Sequence, residues 1–282
     1  TASPAQTLPA QFEMRFRAAL TGSAIGVPAD FESEVWSVAG LSAPEGIEFA
    51  GGAFTDFCYV GDEGLDQVLA DDAEGTATAH TAAGTLTKPE GLAWDAAGSY
   101  GGGILVADSA GVFKVSAAGA LTSFLPASSE SQTGWLGFDP GTLFGGRLHL
   151  GSNSSNWIRS YTTAGGAATL ATAINGFEGA AFGPGGGWGT DLYVADPDLT
   201  AYSSSIDGSG ALLRVTPAGA KSTFLAGGTL TSGLTALAFD PVGHFGGDLF
   251  GADVARERVV RITSAGSASV FATGFGNLFG SD

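Results

Sequence analysis

The feature that most constrains the fold of this 282-residue chain is a sequence unit that recurs about every 44 residues. Each unit ends its first apolar run in an aromatic residue, and these aromatic residues are Phe49, Trp94, Phe138, Phe182 and Phe239. They are spaced 45, 44, 44 and 57 residues apart. A nearly fixed period of this size is the signature of a radial array of similar units.

One unit, between residues 88 and 125, shows how each repeat should fold. Its four short apolar runs are Leu92–Trp94, Ile104–Ala107, Val112–Val115 and Leu121–Leu125, and Gly, Ala, Ser and Asp separate them. Runs of this length, bounded by turn residues, are strand signals. Four strands joined by tight turns form an antiparallel meander of the size of a propeller blade.

We therefore predict an all-β, six-bladed β-propeller that forms a single domain over residues 1–282. Five complete blades are predicted at 42–86, 87–130, 131–174, 175–228 and 229–273. Residues 11–40 resemble outer strands, and 274–282 begin a further inner strand, so the two ends would form the sixth blade and close the ring. A ring of five blades is the alternative.

The charge of the chain limits its partners. It has 28 acidic and 11 basic residues, which gives a formal net charge of −17. So acidic a chain disfavours nucleic acid and anionic membranes and attracts cations. No apolar run reaches the ~20 residues of a membrane helix, so we expect no membrane span.

Composition and the start of the chain predict a location and a kind of surface. The chain begins at Thr1 without Met, as a processed export product would, so we expect a secreted protein, extracellular or periplasmic. Only 14% of residues are charged and 46 are Gly. Such a surface favours self-association, or contact with a surface polymer or protein partner, because little charge must be desolvated.

The repeat resembles a known family. The segments P-E-G-L-A-W-D, G-G-I-L-V-A-D and V-F-K-V-S-A-A-G, all within 89–119, resemble the NHL-repeat and SMP-30/gluconolactonase-like group of six-bladed propellers. The resemblance extends from Leu41 to Phe271. In the gluconolactonase-like enzymes, a Glu before a Gly at the start of an inner strand helps to hold a divalent metal. Glu45, Glu90 and Glu178 match that position.

Two groups of acids are candidate metal ligands. Inner strands line the axial channel, so Glu45, Glu90 and Glu178 should converge near one mouth, where carboxylates and carbonyl oxygens suit Ca²⁺. The alternative is that each Glu hydrogen-bonds backbone within its own blade. A second, weaker candidate lies in the insertion after the fourth blade's second strand, which carries three aspartates, Asp196, Asp198 and Asp207.

Other candidates for chemistry are few. His80, His149 and His244 occupy unrelated places in their repeats, so a histidine metal cage is not expected, and His149 is predicted to be packed. Trp157 and Trp188 could stack on sugars, although packing is favoured. The aspartates that end the second strands, Asp62, Asp108 and Asp253, should cap turns.

These observations favour a secreted, non-enzymatic propeller that acts as a binding or assembly module, with Ca²⁺ as a candidate stabilising ion. The reason is that the family's later Asn-Gly and Asp-Gly segments, which supply further ligands and its catalytic carboxylate, have no convincing counterpart at the matching blades. The first alternative is a calcium-dependent lactonase or esterase-like hydrolase with its metal at the channel mouth. The second is a lectin-like sugar binder.

Overall fold

The computed structural model describes most of the chain between residues 40 and 275. The described residues are 40–54, 58–72, 75–126, 133–152, 155–174, 177, 179–196, 210–228, 233–240, 243 and 245–275. None of its helices is long and apolar enough to cross a membrane within these residues.

Twenty strands form five antiparallel sheets of four, and in each sheet the strands pair in chain order. The first blade contains β1 (Pro44–Phe49), β2 (Cys58–Asp62), β3 (Gln67–Asp71) and β4 (Ala77–Ala79). The second contains β5 (Leu92–Trp94), β6 (Ile104–Asp108), β7 (Gly111–Val115) and β8 (Leu121–Pro126). The third contains β9 (Thr133–Phe138), β10 (Leu148–Ser152), β11 (Trp157–Tyr161) and β12 (Ala167–Thr172). The fourth contains β13 (Ala180–Phe182), β14 (Leu192–Asp196), β15 (Ala211–Val215) and β16 (Lys221–Leu225). The fifth contains β17 (Leu234–Phe239), β18 (Leu249–Asp253), β19 (Arg258–Ile262) and β20 (Ala268–Thr273).

Burial differs between the strands of each blade. Every residue is buried in β2, β6, β10 and β18, which are the second strands of four blades. The first strands are less buried than these, and the fourth strands are the most exposed. The apolar packing between blades therefore involves mainly the middle strands of each sheet.

Apolar clusters join successive blades. Separate clusters lie between the first and second, second and third, third and fourth, and fourth and fifth blades. Two joints also have a hydrogen bond from an aromatic side chain. Tyr100 Oη of the second blade donates to Tyr161 O of the third at 2.5 Å, and Trp188 Nε1 of the fourth donates to Gly247 O of the fifth at 2.9 Å.

A shared turn places Tyr100 and its counterpart in the fifth blade, Phe245. In the second blade, Asp95 Oδ2 accepts hydrogen bonds from the Tyr100 and Gly102 N–H groups at 2.6 and 2.9 Å. In the fifth blade, Asp240 Oδ2 accepts from Phe245 and Gly247 in the same way, at 2.6 and 3.0 Å. Glycine is needed after the aromatic residue because φ is positive there.

The structure confirms the all-β propeller and corrects the blade number. The described residues form five blades, as the five-bladed alternative predicted, and not the six of the main expectation. The strands that we assigned to a closing blade, at 11–40 and 274–282, lie outside the described residues except for Gly40, Gly274 and Phe275. The 13-residue insertion of the fourth repeat displaces no strand, because β14 and β15 still pair in register.

Candidate functional site

The chain enters the inner strands of the first two blades through the same carboxylate clamp. Asp62 accepts hydrogen bonds from the N–H groups of Ser42 and Ala43 at 2.7 and 2.9 Å. Asp108 accepts from Thr87 and Lys88 at the same two distances. Asp62 and Asp108 therefore cap turns, as predicted, and they fix the backbone just before each P-E-G segment.

The glycine of the E-G pair is required by close packing of neighbouring inner strands. A Cβ added at Gly46 would lie 1.9 Å from the carbonyl oxygen of Glu90, and one at Gly179 would lie 2.3 Å from that of Thr235. Real Cβ atoms do not approach backbone oxygens so closely. The glycine therefore has a structural reason to recur, whereas the glutamate before it needs a separate explanation.

Lys88 brings the described glutamates together. Its ammonium pairs with the carboxylate of Glu63, and this hydrogen bond is the main reason that the pKa of Lys88 is raised. The nearby charges of Glu90 and Glu45 raise it further, while partial burial lowers it. Glu45 is exposed and Glu90 is half-buried. We call these four residues the mouth cluster: Glu45, Glu63, Lys88 and Glu90.

The mouth cluster does not fit the predicted Ca²⁺. Within the described residues, no group of three or more His, Cys, Asp or Glu side chains could hold a metal. Ca²⁺ takes six to eight oxygen ligands, and here the Lys88 ammonium already lies among the carboxylates, where it would repel a second cation. We therefore assign no chemical step to calcium.

The remaining predicted ligands are only partly described. Glu178, Asp198 and Asp207 lie outside the described residues, so their convergence stays a prediction. Asp196 ends β14 and is half-buried.

Three other sequence predictions meet different outcomes. Trp157 and Trp188 are 8% and 5% exposed, so they pack and do not offer sugar-stacking surfaces. The turn-capping role predicted for Asp253 stays a prediction, because the residues equivalent to those that Asp62 and Asp108 cap lie outside the described part of the chain. Asp253 pairs with Arg258 at 2.8 Å.

Sequence reasoning missed Glu48 on β1. This carboxyl group accepts hydrogen bonds from the backbone of Trp94 and Phe49, but burial outweighs them and raises its pKa to about 8. A signal was available, because the other four blades have Ala93, Gly137, Ala181 and Ala238 at this position. Glu48 lies in the joint between the first two blades and is not part of the mouth cluster.

Comparison with known proteins gives structural neighbours only. No family model matches the sequence, and no curated protein matches it either. A gluconolactonase from Xanthomonas campestris is 14% identical, with a TM-score of 0.60, over 84% of this chain and 77% of that one. Regucalcin from Agrobacterium tumefaciens, described as a calcium-binding protein, is 17% identical, with a TM-score of 0.59, over 81% and 73%. A catalytically inactive virginiamycin B lyase from Staphylococcus aureus, solved with quinupristin, is 14% identical, with a TM-score of 0.59, over 83% and 71%.

These neighbours contradict the expectation of a non-enzymatic binding or assembly module, because two of them are enzymes by name, a gluconolactonase and a lyase. The chain spans 64% to 71% of the length of the streptogramin B and virginiamycin B lyases that it matches. At 14% to 17% identity the likeness concerns the fold. The chain has a β-propeller fold like that of the gluconolactonase-like proteins, as the resemblance of its repeats predicted, although five blades are described and not six. It is also similar in fold to the virginiamycin B lyases, which the sequence did not predict.

Proposed function

We propose that this protein is a lactone or ester hydrolase whose reaction centre is the mouth cluster. The observation that carries the proposal is the Lys88 ammonium, which pairs with Glu63 and whose pKa is raised by this pairing and by the charges of Glu90 and Glu45. The fold supports it, because a gluconolactonase shares the same propeller architecture. An ammonium beside carboxylates supplies the two groups that ester hydrolysis needs, an electrophile and a general base.

Lys88 is suited to the electrophilic role. Its raised pKa keeps the amine protonated at neutral pH, so it can donate a hydrogen bond to a carbonyl oxygen but cannot act as a nucleophile. The Asp108 clamp holds its backbone N–H at 2.9 Å, and Glu63 orients its side chain. The group that would stabilise a negative charge on the substrate is therefore in place before the substrate binds.

Glu90 is suited to the role of general base. Its half-buried carboxylate raises the pKa of Lys88 through its charge, and the proposal places a lactone carbonyl that Lys88 holds within reach of this carboxylate. A water molecule would attack the carbonyl carbon while Glu90 accepts its proton, and Lys88 would stabilise the resulting oxyanion. The ring C–O bond then breaks, and Glu90 returns the proton to the leaving oxygen, which gives a hydroxy acid.

Hydrolysis of glucono-δ-lactone, followed as proton release at constant pH, tests this function. We expect Lys88→Met and Glu90→Gln each to lower kcat/KM by about 100-fold, the size typical of losing an oxyanion donor or a general base. Lys221→Met is the matched control, because Lys221 is an exposed lysine on β16 that contacts the backbone of Thr172 and Ala173.

Two outcomes would contradict the proposal. One is proton release no faster than the uncatalysed reaction, both for this lactone and for phenyl acetate as a simple ester. The other is equal loss of activity in Lys221→Met and Lys88→Met, which would mean that any lysine removal disturbs the protein and that the mouth cluster has no special role. Circular dichroism of each variant establishes that it is folded.

A further inference from the structure

The fifth and first blades do not meet in the way that the other neighbouring blades do. At four joints, an aromatic ring of one blade packs on the aromatic residue that closes the first strand of the next, with centroids 5.0 to 5.2 Å apart: Phe54 on Trp94, Tyr100 on Phe138, Phe144 on Phe182 and Trp188 on Phe239. The equivalent residues of the fifth and first blades are Phe245 and Phe49. Within the described residues no ring contact joins these two, and Phe245 packs on Phe250 and Phe271 of its own blade.

The fifth blade has an apolar face on the side away from the fourth. Phe250, Val259 and Ala272 are buried there, and Phe245 and Phe271 pack against them. All members of this cluster lie between residues 245 and 275, whereas each of the other four clusters joins two blades. We call it the aromatic face.

The first blade has a buried face on the side away from the second. Cys58, Val60 and Leu69 form it, and none of the three is more than 3% exposed. They alternate with Tyr59 and Ala70, which pack against the second blade, so they point the opposite way. No cluster of described residues contains both this face and the aromatic face. We call the space between the two faces the closing joint.

A carboxylate lies on the first blade's side of the closing joint. Asp71 is opposite Cys58 in the strand register and is 1% exposed. The other four blades have a buried apolar residue at this position, and these residues are Val115, Tyr161, Val215 and Ile262. A buried carboxylate is costly unless a cation compensates it. The first blade, residues 42–86, contains no Lys or Arg, so that cation must come from elsewhere in the chain.

Two arginines outside the described residues can supply the charge. The three arginines of the fifth blade already pair with Asp253 and Asp248. The other described cations belong to the second, third and fourth blades. Arg15 and Arg17 are the remaining two of the eleven basic residues, and they precede the first blade.

The sequence around these arginines matches both sides of the closing joint. Phe12, Met14 and Phe16 alternate with Glu13, Arg15 and Arg17. Alternate residues of an extended strand point to opposite sides, so a strand between the two faces would present its apolar residues to the aromatic face and its arginines to Asp71. The length is also sufficient, because residues 104–126 hold three strands of the second blade and residues 1–39 form a longer segment.

We propose that residues 1–39 occupy the closing joint and that Arg15 or Arg17 pairs with Asp71. Phe12, Met14 and Phe16 contact the aromatic face. This segment is favoured over a second copy of the chain because it continues through Gly40 into the first blade and is therefore held beside the joint at a high effective concentration.

Alkylation of Cys58 by N-ethylmaleimide, followed by mass spectrometry of the intact chain, tests the proposal. Cys58 is the only cysteine and lies opposite Asp71, so its labelling rate reports how often this face opens. Arg15→Gln combined with Arg17→Gln should speed labelling by at least ~10-fold, because a buried carboxylate loses its partner. Replacing both arginines by lysine keeps the charge and should leave the rate within ~3-fold of the parent. Glu13→Gln is the matched control from the same segment and should not speed labelling.

Asp71→Asn tests whether the arginines act through this carboxylate. Alone it should speed labelling by at least ~10-fold, and combined with the two glutamine substitutions it should add less than ~3-fold, because the same pair is then lost only once. Circular dichroism establishes that each variant is folded, and the arginine variants decide the question if Asp71→Asn is not.

Four results would overturn the proposal. They are parental labelling in the glutamine variant, equal acceleration by Glu13→Gln, effects of the Asp71 and arginine changes that multiply, and labelling of the parent that slows as the protein concentration rises. The last result would mean that a second copy of the chain covers the face.

Discussion

Acid should destabilise this protein through His149 well before most of its carboxylates are protonated. An unfolded histidine takes up a proton near pH 6.5, whereas burial lowers the pKa of folded His149 to about 4. Between these values the unfolded chain binds more protons than the folded one. Neutral, buried His149 therefore makes its full contribution to the free energy of unfolding above pH 6.5, and this contribution is lost as the pH falls toward 4.

The size of the effect follows from the two pKa values. One pH unit of pKa difference corresponds to about 1.4 kcal/mol, so lowering the pKa from 6.5 to about 4 corresponds to about 3 kcal/mol. His149→Phe removes the titrating group and places at this position the residue that the fifth blade has, Phe250. The variant should also be more stable at pH 7, by about 1–3 kcal/mol, because it no longer buries an unsatisfied imidazole.

Urea unfolding between pH 7.5 and 4.5 measures both effects from the midpoint and slope of each transition. His80→Gln is the control, since His80 is half-buried and its Nε2 already lies 3.1 Å from Ser116 O. Parallel pH dependence of the parent and His149→Phe would refute the reasoning, because a protonation confined to His149 must vanish with it.

Three further changes test the inner strands. Glu48→Ala should make the protein more stable at pH 9 by at least about 1 kcal/mol, because the Glu48 carboxyl group, with a pKa of about 8, is buried in its charged form at this pH. The gain should shrink toward pH 4.5, where the group is protonated, and melting curves recorded at several pH values check this. Gly46→Ala should cost about 3 kcal/mol in urea unfolding, since its Cβ would meet Glu90 O at 1.9 Å, whereas Gly228→Ala, with open space around it, should be nearly neutral. Lys88→Met should strengthen Ca²⁺ binding in calorimetry by ~10-fold, because it removes the competing ammonium; unchanged affinity would contradict our account of the mouth cluster.

The sequence predicted the blades well because the same strand and turn signals recur in every unit. The five aromatic residues that close the first strands recur at a nearly constant period, and the three turns of each unit indicate the strand ends independently. The capping roles of Asp62 and Asp108 could be inferred for the same reason, since both end a buried strand just before a turn. Local patterns that recur from blade to blade can therefore be identified from a single sequence.

Contacts between blades were harder to predict. The recurrence of Gly46 looked like part of a ligand motif, but its cause is the carbonyl oxygen of Glu90 in the next blade, 44 residues later in the repeat. Lys88 was overlooked as a charge partner for the glutamates, because its pairing with Glu63 joins the second blade to the first. The burial of Glu48 likewise depends on the neighbouring strand around Trp94. To predict contacts of this kind, one must know how closely neighbouring blades pack, and the repeat pattern alone does not show this.

A repeat protein also provides its own comparison for deciding which residues are under functional constraint. Selection for folding acts alike on equivalent positions, so a position that differs in one blade without a packing reason calls for another cause. The ion pair of the fourth and fifth blades shows the limit of this comparison. The third blade lacks the pair, with Arg147 and Ser160 at the two positions, but so does the first blade, with Phe57 and Ala70. A change that several blades share does not single out one of them, whereas Glu48 stands alone, because the other four blades have Ala or Gly there and a charged carboxylate is costly to bury.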